Sequence, residues 1–334
     1  MAAPAAIRHP AAAAEEASPL VRCADLAVRF VRRDDTVNAV NGVSFTLNAG
    51  EVLCILGESG SGKSVTLRAM MRLLPEHIAR ISGSVTIAGR NVMGLDRRAL
   101  GDLRGAEVGM IFQEPMTAFD PVFTIGTQIA ETLRRHDGLS QRRARQRALE
   151  LLEMVQIPSP ARRLDNYPHE MSGGMRQRAM IALALACRPR LLLADEPTTA
   201  LDATVQIQIL QLLRTLQREL GMAVLFVTHD VGVAVEIADR IAVMYAGRFV
   251  EMGPVRAVIR TPRHPYTRAL LASIVHGAMR GRRLEAIPGA PPNLAALPPG
   301  CAFAPRCRHV EAACTAAMPA EAWQGTHMAR CIRA

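Results

Sequence analysis

The 334 residues allow one large domain and a smaller one, and about half are apolar, enough for a sizeable core. The formal net charge of +10 is almost wholly arginine, since Lys63 is the single lysine among forty basic residues, and it admits nucleic-acid contact or a surface beside anionic lipid or an acidic partner. No arginine cluster is interleaved with aromatics, which argues against single-strand binding, and no apolar run reaches the roughly 20 residues of a membrane-spanning helix. Residues 1–18 are alanine-rich, broken by prolines and a Glu pair; they lack the apolar stretch of a signal peptide and are expected to be a disordered lead-in. A cytosolic chain keeps its thiols reduced, so its seven cysteines call for a reading other than disulfides. CADLAVRF and VSFTL read as strands, and VLCIL as a buried parallel strand ending at a glycine. VTLRAMMRLL has helical spacing and is expected to run to Pro75. ISGSVTIAG reads as an exposed β segment. Residues 114–172 are expected to form a helical subdomain whose arginines make a solvated face. RLLLAD, AVLFVTHD and RIAVMYAG bring strands back between helical stretches, which predicts a mainly parallel α/β sheet. Prolines and glycines rise after about residue 260, where we place a boundary: a main domain over 19–260 and an extension over 261–334.

GESGSGKS, residues 57–64, fits the phosphate-loop pattern and lies between an expected strand and an expected helix. Gly57, Glu58, Ser59, Gly60, Ser61 and Gly62 would let backbone N–H groups turn toward phosphate oxygens, with Val65 in the helix that follows. Lys63 supplies a compact ammonium on a thin stem, where a broad guanidinium would fit poorly between phosphates. Ser64 would hold Mg²⁺ by its hydroxyl, with Asp195 at the end of RLLLAD as the second metal-binding side chain. Glu196, next to it, is placed to polarise an attacking water.

MSGGMRQR, residues 171–178, builds a second helix N-terminus and resembles the signature motif of ABC-type ATPases. Within that resemblance Gln113 corresponds to the Q-loop glutamine near Mg²⁺, Asp202 to the D-loop, His229 to the switch histidine, and Phe30 to the aromatic that stacks on adenine. It implies a P-loop NTPase fold of the ABC ATPase type, with an antiparallel β subdomain and a helical subdomain. It also implies that Ser172, Gly173 and Gly174 contact ATP held by a partner. Met175 stands where most such ATPases have glutamine. QEPMTAFDP, the methionine-type signature, HPYTRALL and IPGAPPNL are similar to the D-type ATP-binding subunits of dipeptide, oligopeptide and nickel importers. The implied partners are a second ATPase subunit (a copy or a paralogue), two transmembrane permease subunits and an extracytoplasmic solute-binding protein. The implied place is the cytoplasmic face of the cell membrane, held peripherally. The competing expectation is a soluble ABC ATPase acting on nucleic acid, but neither heptads nor a second phosphate loop appear.

Cys23, Cys54 and Cys187 are isolated in apolar stretches and read as small buried hydrophobes. Cys301, Cys307, Cys314 and Cys331 are spaced C-x5-C-x6-C-x16-C. The spacing is looser than a zinc knuckle and favours a four-cysteine iron–sulfur cluster, to which the resemblance also points; zinc and unligated thiols are the alternatives.

Overall fold

The computed structural model describes residues 18–33, 35–199, 201–273 and 287–334. All but the last residue of the expected lead-in lies outside them, as does Ala200. Along the first strands apolar and polar residues alternate, as a sheet covered on one face requires. β1 (Val21–Val31) and β2 (Thr36–Leu47) pair antiparallel. β4 (Ala79–Ile87) and β5 (Arg90–Asn91) complete a four-stranded sheet in the order β2-β1-β4-β5. Val21, Cys23, Leu26 and Val28 are buried while Arg22 and Arg29 are exposed.

The second sheet carries the continuous apolar runs. β3 (Val52–Leu56), β6 (Val108–Ile111), β7 (Leu191–Asp195), β8 (Ala223–Thr228) and β9 (Arg240–Tyr245) lie parallel in the order β9-β3-β8-β7-β6. β10 (Arg248–Pro254) returns antiparallel along β9, and the hairpin of β11 (Ala322–Gln324) and β12 (His327–Ala329) pairs with β10. Every residue of β3, β7 and β8 is buried, because both faces of the sheet are covered.

Alternate residues of β3 serve two apolar layers. Leu53 and Ile55 meet the antiparallel sheet, α1 (Lys63–Met70) and α2 (Arg97–Ala106). Val52, Cys54 and Leu56 meet the helical side. There lie α3 (Pro115–Ala118), α4 (Ile125–Asp137), α5 (Gln141–Met154), α6 (Pro160–Arg163) and α7 (Gly173–Ala184). α8 (Ala203–Leu220) and α9 (Val231–Ile237) follow on the same side. On α5, Ala144, Ala148 and Leu151 are buried while Arg142, Arg143 and Arg145 face solvent, the solvated arginine face expected. α1 stops at Met70, short of Pro75, and Arg72 then takes a left-handed φ of 49°. The Arg104 guanidinium donates to the carbonyls of Met71 and Arg72 and so satisfies that early end.

α10 (Val255–Arg260) closes the cassette, and the extension contributes α11 (Pro265–Ala272) and α12 (Ala312–Ala316) beside the β11–β12 hairpin. Buried Glu251 on β10 anchors it: the carboxylate accepts from the Arg263 and His264 N–H groups at 2.8 and 2.9 Å and pairs with His327 Nε2 at 2.7 Å. Among the described residues no helix is long and apolar enough to cross a membrane.

Candidate active site

Strand order assembles the site. β3, β8 and β7 are neighbours and parallel, so the segments that leave their C-terminal ends meet at one edge of the sheet. After β3 come residues 57–62 and α1; after β7, Glu196; after β8, His229; after β6, next to β7, Gln113. Two glycines are obligatory in the first loop. A Cβ on Gly57 would collide with the Met244 carbonyl, and Gly62 has φ 106° and presses on the Ala39 carbonyl.

Lys63 is buried, and its Nζ donates to the carbonyls of Gly57 at 2.9 Å and Glu58 at 3.0 Å. Two of its three donors are thereby aimed, and Glu196 Oε1 lies 3.8 Å from the ammonium. Burial pushes the ammonium below the ordinary lysine value, with Glu196 and Asp195 opposing. Ser64 Oγ donates to Asp195 Oδ1 at 2.6 Å. Asp195 is fully buried, and its Oδ2 has no hydrogen-bond partner, only Arg68 at 3.8 Å. Burial raises its carboxyl above the usual range, against the Ser64 hydrogen bond and the Arg68 charge. An unpartnered carboxylate oxygen beside a serine hydroxyl is a donor set that suits Mg²⁺, which prefers few protein oxygens and completes its shell with phosphate and water.

Glu196 has a left-handed φ of 47° and is pinned there by its N–H, which donates to the Val227 carbonyl on β8 at 3.0 Å. Its Oε2 accepts from Thr199 Oγ1 at 2.9 Å and lies 3.0 Å from His229 Nδ1. Lys63, Ser64, Gln113, Glu196 and His229 line one cleft of about 580 Å³, together with Glu58, Ser59, Gly60, Gly62 and Val65. Ser61 is buried within the loop.

Phe30, Ser172, Gly173, Gly174 and Asp202 do not line this cleft. Phe30 is half-buried against the apolar layer beneath the antiparallel sheet. The apolar rim comes instead from Ala39, Leu270 and Leu294. Ser172 caps α7 by accepting from the Met175 N–H, and with Gly173 it is exposed away from the cleft. Asp202 caps α8 through the Val205 N–H at 3.0 Å. Met175 packs against the helical-side apolar layer.

Sequence reading missed the outer side of the loop. Glu58 donates its N–H to Tyr266 Oη at 3.0 Å, and its carboxylate takes Arg306 in a fork at 2.8 and 3.2 Å. HPYTRALL was noticed, but its tyrosine carried no sign of this contact.

A nucleotide loop, an adjacent acidic pair and a strand-end histidine on a parallel sheet define a P-loop ATPase cassette. The chain matches the ABC transporter family over residues 40–199 and the oligopeptide/dipeptide transporter C-terminal region over residues 250–314. It is 51% identical over 328 residues to a peptide import ATP-binding protein of Brucella melitensis, covering 94% of this chain and 97% of that one. It is 47% identical over 321 residues to the oligopeptide transport ATP-binding protein OppD of Salmonella typhimurium, covering 96% of each. A solved dimeric ATP-binding cassette in a post-hydrolysis state with ADP and Pi superposes with a TM-score of 0.64 at 32% identity, covering 71% of this chain and 99% of that one. The chain belongs to the ABC transporter ATPases, in the group of peptide-import ATP-binding subunits.

The iron–sulfur expectation is corrected. Cys301, Cys307, Cys314 and Cys331 border one apolar pocket of only about 20 Å³, room for roughly one water. Among the described residues no group of three or more His, Cys, Asp or Glu side chains is arranged to hold a metal ion. All four thiols are free, and burial raises Cys301 and Cys307 above the ordinary thiol value. Neither relative is named as an iron–sulfur protein. Cys23 and Cys54 are buried as expected, and Cys187 is half-buried.

Proposed function

We propose that this ABC ATPase is the motor of a peptide importer, coupling MgATP binding and hydrolysis to uptake of dipeptides, oligopeptides or related solutes. One observation carries the reading: the ends of β3, β6, β7 and β8 bring Lys63, Gln113, Glu196 and His229 to one cleft, with buried Asp195 hydrogen-bonded to Ser64 on its wall. Residues 57–62 offer backbone N–H groups, and Lys63 offers its remaining donor, to the β- and γ-phosphates. Ser64 and Asp195 Oδ2 would hold Mg²⁺, near Gln113; the ion would supply charge neutralisation between phosphates. Glu196 orients and polarises the attacking water, and its angle is set by Thr199 and His229. His229 is half-exposed at the strand end, free to register the γ-phosphate while it holds Glu196.

Ser172 and Gly173 are exposed, Gly174 is half-buried, and all three lie outside the chain's own cleft, which suits contact with ATP on a second ATPase subunit, with Asp202 at the same junction. That subunit is a copy or a paralogue. Two permease subunits at the cytoplasmic membrane face and an extracytoplasmic binding protein complete the transporter, with the chain held peripherally. Residues 19–260 form the cassette, about 114–172 its helical part, and 261–334 the extension. The transport-named relatives favour this reading over nucleic-acid work. The test is uptake of labelled peptide by proteoliposomes that hold the chain with its permease partners. ATP-driven uptake is expected, and Lys63→Arg should abolish it by weakening MgATP binding. Uptake that needs no ATP, or survives Lys63→Arg, would overturn the reading.

A further inference from the structure

The C-terminal extension reaches the nucleotide loop through one residue. Glu58 is held at three points. Its N–H donates to Tyr266 Oη on α11 at 3.0 Å. Its carboxylate is forked by Arg306, which lies between Cys301 and Cys307. Its carbonyl accepts from Lys63 Nζ at 3.0 Å and from the Ser61 N–H at 3.3 Å. Two supports from the extension therefore fix the peptide unit on which the only lysine rests.

Those supports are themselves built in. The Arg306 residue is 8% exposed, and its guanidinium also donates to Tyr245 Oη and to the carbonyls of Ile287 and Pro288. It lies 5.9 Å from the ring centres of Tyr245 and Phe303. Tyr266 is fully buried, 4.5 Å from Tyr245 between ring centres. Its backbone N–H donates to His264 Nδ1, and the His264 N–H donates to Glu251. A continuous chain of buried hydrogen bonds thus runs from β10 through His264 and Tyr266 to the loop. Packing alone would not require a buried guanidinium, since an apolar side chain of similar volume fills such a space at less desolvation cost. The fork instead neutralises a carboxylate that stands on the loop meant to receive phosphates.

We propose that Arg306 and Tyr266 are positioning residues for ATP: the extension holds Glu58, orients Lys63 through the Glu58 carbonyl, and cancels a negative charge beside the phosphate site. The proposal rests on the ATP-site reading above. It adds that the extension, which carries no catalytic group, sets nucleotide affinity.

The test uses the purified full chain, MgATP titration by calorimetry, and melting without nucleotide. Binding by the wild-type chain establishes the ATP site independently, so its failure would strike that reading and not this one. Arg306→Met keeps the apolar stem and removes the charge; it should weaken MgATP binding about tenfold or more, because the Glu58 carboxylate is left unpaired. Glu58→Gln in the Arg306→Met background removes that carboxylate and should recover most of the loss, a rescue that a merely structural role would not give. Tyr266→Phe removes one oxygen and should weaken binding by about threefold while melting stays near wild type. Affinity within twofold of wild type in Arg306→Met would overturn the proposal. So would a loss that Glu58→Gln does not relieve. If Arg306→Met does not fold, Tyr266→Phe decides, and unchanged affinity there overturns the proposal.

Discussion

The cassette and its extension meet at the same end of the central sheet and are held by opposite means. β3, β7 and β8 are buried along their whole length, and apolar contact on both faces fixes the acidic pair and the nucleotide loop. The extension is fixed by buried polar side chains: Glu251, His264, Arg306 and His327. Apolar packing tolerates small losses and relaxes around them. A buried polar contact is all or nothing, because removing one partner leaves the other desolvated and unpaired. The cassette should therefore answer to changes at its reacting groups, and the extension to changes at its anchors.

The largest effect should come from the cassette's reacting edge. Glu196→Gln keeps the shape and the bonds to Thr199 and His229 but cannot polarise water. Steady-state ATPase activity of the assembled transporter should fall about a hundredfold or more, with MgATP binding retained. Turnover within a few-fold of wild type would remove Glu196 from that role.

Gly173→Asp should come next. No atom lies within 4 Å of a Cβ built there, so the substitution is sterically free. A carboxylate facing the partner's γ-phosphate should abolish ATPase activity in the assembly while MgATP binding by the isolated chain is unchanged. Activity that survives would show that residues 171–175 do not meet nucleotide.

On the extension side, Glu251→Leu strands two backbone N–H groups and His327. It should cost about 2–4 kcal/mol, read in denaturant unfolding, and speed hydrogen exchange around residues 261–270 and 322–329 before it affects β3. Equal loosening of β3 would mean that cassette and extension are one cooperative unit.

The smallest effect concerns acid. Burial pushes the His264 imidazole down to about 3, so it is neutral in the fold, where its Nδ1 accepts from the Tyr266 N–H. The unfolded chain, with an ordinary value near 6.5, takes up that proton first. The neutral histidine's contribution is whole above about pH 6.5 and is lost as pH falls toward 3. His264→Asn keeps a capping acceptor without the titration. Urea unfolding at pH 7.5, 6 and 5 should show a shallower acid slope by up to about 1.4 kcal/mol per pH unit.

Much of the cassette was legible because its signals are local. VLCIL is a strand from first to last residue, and the eight residues after it hold both the glycines and the lysine that a phosphate loop needs. The acidic pair was legible because it closes a second apolar run. Long-range contacts left no such trace. Arg306 meets Glu58 across 248 positions, and one arginine among so many basic residues has no periodicity to mark it. Which way β1 presents Phe30 was not legible, because that register depends on β2 and β4. The four late cysteines suggested a cluster by spacing and by resemblance, and neither says how much room the folded side chains leave between them.

The hairpin of β11 and β12 has a consequence for how the chain is made. β10 exposes an edge until β12 pairs with Glu251 and Met252, and Arg330 adds its N–H to the Val250 carbonyl. On the ribosome the parallel strands and β10 emerge well before those partners do. During that interval the cassette carries an open, apolar strand edge beside a carboxylate that still lacks its His327 partner, the kind of surface that nascent chains aggregate through and chaperones recognise. Completion of the nucleotide-binding sheet therefore waits on residues made long after β10, and a ribosome that stalls before residue 327 would release a cassette with its phosphate loop formed and its sheet unsealed.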